Sequence, residues 1–291
     1  MKFGVRECAN ITFKALSARK IAGIDFEAGQ PVLYIDSAKT STLEGASTTV
    51  YATGGRGNTR LIAWEGEKTL TFTVEDALLS PISFAMLSGA GLFSKETEGS
   101  VHVHMTTYTT ADDANTIDLT NALGANETLA TDAKVFVVPV DEDGAISGAA
   151  IEGTVEGKTI TATGVAKGDS VFVDYYITND TAEITELQID AEHFAGSYYV
   201  EADTLFRRQH DGVDLPAIIT LPNVKIQSNF TFAMASTGDP STFTFTMDAF
   251  PGYTYFDKSK KVLCVLQVYN DDAKASAAEG GSVMNGVVAE G

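Results

Sequence analysis

The sequence predicts a mainly β protein: an antiparallel β-sandwich or barrel with one short helix, interrupted by a second, smaller β-sandwich. Three observations carry this. The first is Val224 to Phe250, VKIQSNFTFAMASTGDPSTFTFTMDAF. In its first arm Val224, Ile226, Phe230, Phe232 and Met234 share one face. In its second arm Phe243, Phe245, Met247 and Ala249 alternate with Thr242, Thr244, Thr246 and Asp248. Period two over this length is the mark of half-buried antiparallel strands, and Ser236–Ser241 supplies the turn formers between them. The second observation is the recurrence of short alternating runs separated by Gly, Asn and Asp. The third is that a single segment carries helix start and stop signals.

In chain order, Phe3–Cys8, Ile11–Leu16, Ala22–Phe26 and Pro31–Ile35 read as short strands, punctuated by Gly23 and Gly29. Residues 36–49, DSAKTSTLEGASTT, are small and polar with no period, which predicts a long loop of interfacial character. Thr49–Thr53 and Thr59–Trp64 flank Gly54-Gly55-Arg56-Gly57-Asn58 and read as a glycine-turned hairpin. Lys68–Val74 sets Leu70, Phe72 and Val74 against Thr69, Thr71 and Thr73. The helix is expected from Ser80 to Gly89, with Ser80 as N-cap, Pro81 at the first helical position and glycine at the stop. Ile82, Phe84 and Leu87 should pack it onto a sheet.

Ser100–Thr107 reads as the next strand. Residues 111–181 then form a run of short strands with turns every 8–12 residues, which reads as the small inserted β-sandwich. The division is thus 1–110, 111–181, 182–270 and a low-complexity arm at 271–291. The late run Lys261–Tyr269, KVLCVLQVY, is apolar enough to predict a strand buried on both faces.

Composition excludes several functions. The chain has 291 residues, a net charge of −19 and an isoelectric point near 4.4, the reverse of a nucleic-acid footprint. No apolar run approaches the roughly 20 residues that span a bilayer. Met1-Lys2-Phe3-Gly4 opens without an apolar core, so no signal peptide is expected. Cys8 and Cys264 read as two buried free thiols. Within residues 1–20, Lys2, Arg6, Lys14, Arg19 and Lys20 stand against Glu7 alone. This basic segment reads either as a chance cluster on a solvated face or as an arm that docks on an acidic surface of a neighbouring copy.

Catalytic and metal chemistry finds no frame. The spacing of His102 and His104 on one strand face suits a metal, but no third ligand is in sight. Asp141-Glu142-Asp143-Gly144 opens like a calcium loop, with Glu152 as the twelfth-position glutamate or that position out of register, and it reads as a plain hairpin turn. GxSxG, HExxH, CxxC and the phosphate-binding glycine loop are absent. The chain is expected to be no enzyme, with no cofactor and no metal.

Trp64–Leu92, Glu183–Leu205 (EITELQIDAEHFAGSYYVEADTL), Pro222–Phe230 and Gly238–Phe245 resemble the major tail tube proteins of long-tailed bacteriophages. The resemblance covers about 1–110 and 182–270, and the 111–181 segment resembles the immunoglobulin-like insertions found in that group. It implies a virion protein assembled in the host cytoplasm, whose hexameric rings stack into a tube. It implies itself as partner, with tail sheath, baseplate and tail terminator proteins beside it, no membrane, and DNA passing without specific binding. An acidic, hydroxyl-rich lumen would suit that passage. Glu186, Asp190, Gln227, Asn229, Thr244, Thr246 and Asp248 are the lumen-facing candidates. Lys2, Arg6, Lys14, Arg19 and Lys20 are the candidates for the inter-subunit arm. The alternatives are a head-decoration or other virion sandwich protein, and a surface adhesin or carbohydrate-binding module. The last two should show a secretion signal or several exposed aromatics, and a binding module should stay monomeric.

Overall fold

The computed structural model describes residues 2–5, 7–89, 91–94, 102–179, 185–189, 191–231, 236 and 242–270. They fall into two compact units, Met1–Leu92 with Leu187–Gly291, and Phe93–Glu186. The first passage holds β1 (Phe3–Val5), β2 (Asn10–Ala15), β3 (Arg19–Ile21), β4 (Ile24–Phe26), β5 (Pro31–Ile35), β6 (Ala38–Gly54), β7 (Thr59–Asp76), α1 (Pro81–Ser88) and β8 (Gly91–Ser94). The middle holds β9 (Val103–Thr110), β10 (Thr116–Asp118), β11 (Glu127–Leu129), β12 (Val135–Pro139), β13 (Ile151–Glu156), β14 (Thr159–Thr161) and β15 (Ser170–Asn179). The return holds β16 (Thr185–Gln188), β17 (Ser197–Arg208), β18 (Asp214–Ile226), β19 (Phe243–Ala249) and β20 (Val265–Val268). The class is mainly β with one short helix and antiparallel sheets, among them a curled half-barrel.

The large sheet of the first unit runs β5-β2-β17-β18-β19-β7-β6, with β1 added on β17 and β20 on β18. Its inner face is the alternate apolar set. Ile11 and Phe13 of β2, Phe72 and Val74 of β7, Val200 of β17 and Phe245 and Met247 of β19 are all at most 1% exposed. Each such side chain contributes about 1.5–3 kcal/mol by leaving water. Helix α1 closes this core with Ala85, Met86 and Leu87, while Ile82 and Phe84 are half-buried. The helix starts as the sequence requires. Ser80 Oγ accepts the Ser83 N–H at 3.0 Å and Ser83 Oγ accepts the Ser80 N–H at 2.8 Å, a reciprocal cap. It stops at Gly89, whose φ of 77° is left-handed. A Cβ there would also sit 2.6 Å from the Phe194 backbone, so the chain approach requires glycine twice over.

The second unit has its own core. Ile117, Val137, Ile160, Val171 and Val173 are fully buried, and Tyr175 is 1% exposed. Its sheet runs β10-β14-β13-β12-β15-β11 with β9 on the other side of β15. Strand β9 pairs with β15 over eight positions, from Thr110↔Ser170 to Val103↔Ile177, so this unit begins before residue 111. The Asp141–Gly144 segment is a turn. Asp141 Oδ1 accepts the N–H of Asp143 at 3.0 Å and of Ala145 at 2.8 Å.

Four expectations are corrected. Residues 36–49 are no loop: 38–54 form β6, paired with β7 to make a hairpin of 17- and 18-residue strands. Solvent wets both faces of its outer part, so no apolar period marks it. Among the described residues, the strand pairing of the Val224–Phe250 arms is limited to Val224↔Ala249, Lys225↔Asp248 and Ile226↔Met247, with Gln227 N–H donating to the Thr246 carbonyl just beyond; β18 ends at Ile226 and β19 runs on along β7. Residues 232–235 and 237–241 lie outside the described residues. The late apolar run gives only β20, half-exposed, with Leu266 54% exposed, because it pairs with β18 alone. Both cysteines are free, yet Cys8 is exposed, its thiol donating to the Ala38 carbonyl at 3.0 Å. Cys264 is half-buried and burial pushes its thiol up.

Candidate functional site

The outer face of the strip β18-β19-β7-β6 is lined by hydroxyls and carboxylates. Alternation forces this: with Phe245, Met247, Phe72 and Val74 turned into the core, their neighbours must turn out. Pairing then sets those neighbours in rows across the strands. Lys225, Asp248, Thr71 and Glu44 form one row, Thr246, Thr73 and Thr42 the next, and Thr244, Glu75 and Thr40 a third.

Hydrogen bonds hold the carboxylates in place. Asp248 accepts from Gln227 Nε2 at 2.9 Å and from Thr71 Oγ1 at 3.3 Å. Glu75 accepts from Thr242 Oγ1 at 2.6 Å and from Thr40 Oγ1 at 3.2 Å. The Thr242 and Thr40 hydroxyls hold the Glu75 carboxyl below the ordinary glutamate range, so it keeps its charge as the pH falls. Among the described residues, no group of three His, Cys, Asp or Glu side chains could hold a metal ion. His102 and His104 face separate carboxylates, Asp132 at 2.9 Å and Asp174 at 2.8 Å.

The second feature is the far part of the β6–β7 hairpin. Val50, Leu61, Ile62 and Trp64 are each more than half exposed there. Tyr51 lies under the Arg60 guanidinium at 4.0 Å. Apart from its pairing to β7, β6 has no strand neighbour among the described residues. A long open edge carrying apolar side chains is a template for another chain.

A model of the YomU/Tube protein family matches residues 17–262. The chain belongs to the YomU/Tube protein family. The matched span runs through both units and leaves out most of the basic N-terminal segment and the end of the chain. No curated protein matches the chain. The family makes this a structural phage tube protein and a component of the virion tail. No helix among the described residues is long and apolar enough to cross a membrane.

Measured against this tube-family frame, the sequence-predicted residues part company. Gln227, Thr244, Thr246 and Asp248 come together on the hydroxyl and carboxylate face. Asn229 is exposed beyond the end of β18, Glu186 is half-buried on β16, and Asp190 lies outside the described residues. Thr40, Thr42, Glu44, Thr71, Thr73 and Glu75 complete the face. The Thr alternation of 68–74 signals two of them, Thr71 and Thr73; their pairing with β19 and β6 does not show in the order of the letters.

Of the basic segment, Lys14 and Arg19 use their charge within the chain. Lys14 Nζ meets Glu201 Oε2 at 2.5 Å and lies over the Tyr255 ring at 5.4 Å. Arg19 covers the Tyr198 ring at 4.9 Å and donates to the Ser197 carbonyl at 3.2 Å, a seat open only because Gly196 has no side chain. Lys2 and Lys20 are exposed, and Arg6 lies outside the described residues. The acidity is divided unevenly between the two units. Phe93–Glu186 carries 17 Asp and Glu against four Lys and Arg, −13 of the −19 total.

Proposed function

We propose that copies of this chain join side by side into rings, hexameric in a long-tailed phage, and that the rings stack into a tube that conducts DNA. The observation that carries this reading is the β6–β7 hairpin, a ribbon longer than its own core can cover, whose outer part exposes Val50, Leu61, Ile62 and Trp64. A neighbouring copy is the partner that would bury those side chains and pair the open edge of β6. The hydroxyl and carboxylate face, with Thr244, Thr246, Asp248 and Glu75, then lines the lumen. Its fixed negative charge repels phosphate, and screening limits that field to roughly 8 Å at physiological salt.

Phe93–Glu186 serves as an immunoglobulin-like unit carried on the tube, its charge keeping the particle dispersed. Lys2 and Lys20 remain the groups of the basic segment available for contact between copies, and Arg6 joins them in this proposal. Tail sheath, baseplate and terminator proteins are the remaining partners. DNA contributes no specific contact.

Negative-stain electron microscopy with sedimentation velocity tests this on the purified chain. Rings of six or tubes of uniform width are expected. A chain that stays monomeric over the micromolar to millimolar range would sink the proposal. For the lumen, Asp248→Asn with Glu75→Gln should leave tubes intact and slow genome ejection from assembled virions; ejection at the wild-type rate removes the face from the lumen.

A further inference from the structure

The loop after β19 is built as a rigid knob. Its sequence, Phe250-Pro251-Gly252-Tyr253-Thr254-Tyr255-Phe256-Asp257-Lys258-Ser259-Lys260-Lys261, places three lysines beside four aromatics in an acidic chain. Gly252 and Val262 exchange hydrogen bonds at 3.0 and 2.8 Å and close the loop at its base. Asp257 Oδ1 accepts the Ser259 N–H at 2.8 Å and the Ser259 hydroxyl at 2.6 Å, and the Asp257 N–H donates to Thr254 Oγ1 at 3.0 Å. Tyr255 stacks on Tyr199 at 4.2 Å and pins the loop to β17. With Tyr255 held down, the next residue is thrown outward: Phe256 is 97% exposed. Lys258, Lys260 and Lys261 are exposed around it. A loop braced at this many points and tipped by a bare aromatic is shaped to enter something.

The second unit carries a shallow recess of opposite charge. A groove of about 430 Å³ is lined by Tyr108, Thr110, Val140, Glu142 and Ser170. Tyr108 is 65% exposed, its ring 5.2 Å from Phe172. Glu142 and Asp143 stand exposed at the rim on the turn that Asp141 holds in shape. The unit around the groove is the strongly negative one, 17 acidic residues against four basic. An aromatic knob flanked by lysines and a shallow recess edged by Tyr108 and rimmed by carboxylates are opposite in charge.

We infer that the Phe256 knob of one copy docks into the Tyr108 groove of a second copy, with Lys258, Lys260 and Lys261 against Glu142 and Asp143. This rests on the self-assembly proposed above and adds a second junction, separate from the β6–β7 hairpin. Three lysines on a chain of net charge −19 are a weak lure for a polyanion, whereas the same charge makes another copy attractive to them.

The test uses the full chain with a photo-crosslinking phenylalanine analogue in place of Phe256. Irradiated assemblies should give dimers whose joined peptides contain residues 108–110, 139–145 or 170–171. Dimers joined elsewhere, or none at all, overturn the docking. In parallel, the triple variant K258E/K260E/K261E should raise the concentration needed for assembly roughly tenfold or more and flatten its salt dependence. E142K/D143K should do the same, and combining the five changes should restore assembly. A triple variant that assembles at the wild-type concentration overturns the knob and leaves the tube reading standing. A wild-type chain that never assembles removes both. Binding of duplex DNA or of phosphatidylserine vesicles that the triple variant loses, with assembly unchanged, would also overturn the docking and reassign the loop.

Discussion

The two units solve the problem of surface in opposite ways. Among the described residues, 24 large hydrophobic side chains are exposed; 21 belong to the first unit and three to Phe93–Glu186. The charge runs the other way, with −13 of the −19 in the smaller unit. One region hides its apolar groups and covers itself with carboxylates, as a free-standing domain does. The other leaves Val50, Leu61, Ile62, Trp64 and Phe256 in water, the kind of exposure that marks interaction surfaces. The lesson is that a net charge taken over the whole chain hides its distribution: most of it belongs to Phe93–Glu186 and little to the unit that holds the large sheet.

The contrast can be broken at its cores. Phe245→Ala removes a fully buried ring from the first unit and should cost about 3–5 kcal/mol there. Scanning calorimetry should then show one transition moved down and a second, belonging to Phe93–Glu186, in place. A single transition moving as a whole would mean the two units are one thermodynamic body. Trp64→Lys sharpens the contrast from the other side. On the exposed ribbon it should leave unfolding within about 0.5 kcal/mol of wild type, yet abolish assembly as seen by sedimentation. A destabilised monomer would show that Trp64 supports its own chain. Ser80→Ala strips the α1 cap and should cost about 1 kcal/mol, read as a lowered midpoint in urea.

The smallest effect is electrostatic. Burial, and then the neighbouring Glu201, raise the Asp203 carboxyl above its ordinary value. A raised carboxylate opposes folding when charged, so its penalty is present at neutral pH and fades as the pH falls through the raised value. Asp203→Asn should therefore stabilise the chain modestly at pH 7, and the difference in melting temperature should vanish toward pH 4. A gain that persists unchanged in acid would assign it to packing.

How far the letters could carry these regions depends on what each strand buries. Phe72, Val74, Phe245 and Met247 alternate because one side of β7 and β19 meets a core, and the alternation is visible in the text of the chain. The caps of α1 are visible for the same local reason: Ser80, Pro81 and Gly89 act within one turn of themselves. Strand β6 escapes notice because Thr42, Glu44, Ser47 and Thr49 have water on both sides and need no period. The hydroxyl and carboxylate face escapes for a different reason. Its rows join Lys225 to Asp248 to Thr71 to Glu44, and no local rule says which of many Thr-rich runs will lie side by side.

The pairing of β2 with β17 has a consequence in time. Lys14 and Glu201, which meet across these strands, are separated by 187 positions. At roughly 5–20 residues per second of synthesis, the partner of an early strand emerges about 10–40 s after it. The middle unit is made of nearer neighbours and has emerged by then, so its collapse shortens the tether that the two flanking halves must close. The newborn polypeptide thus completes its middle unit before the large sheet that flanks it in sequence can close.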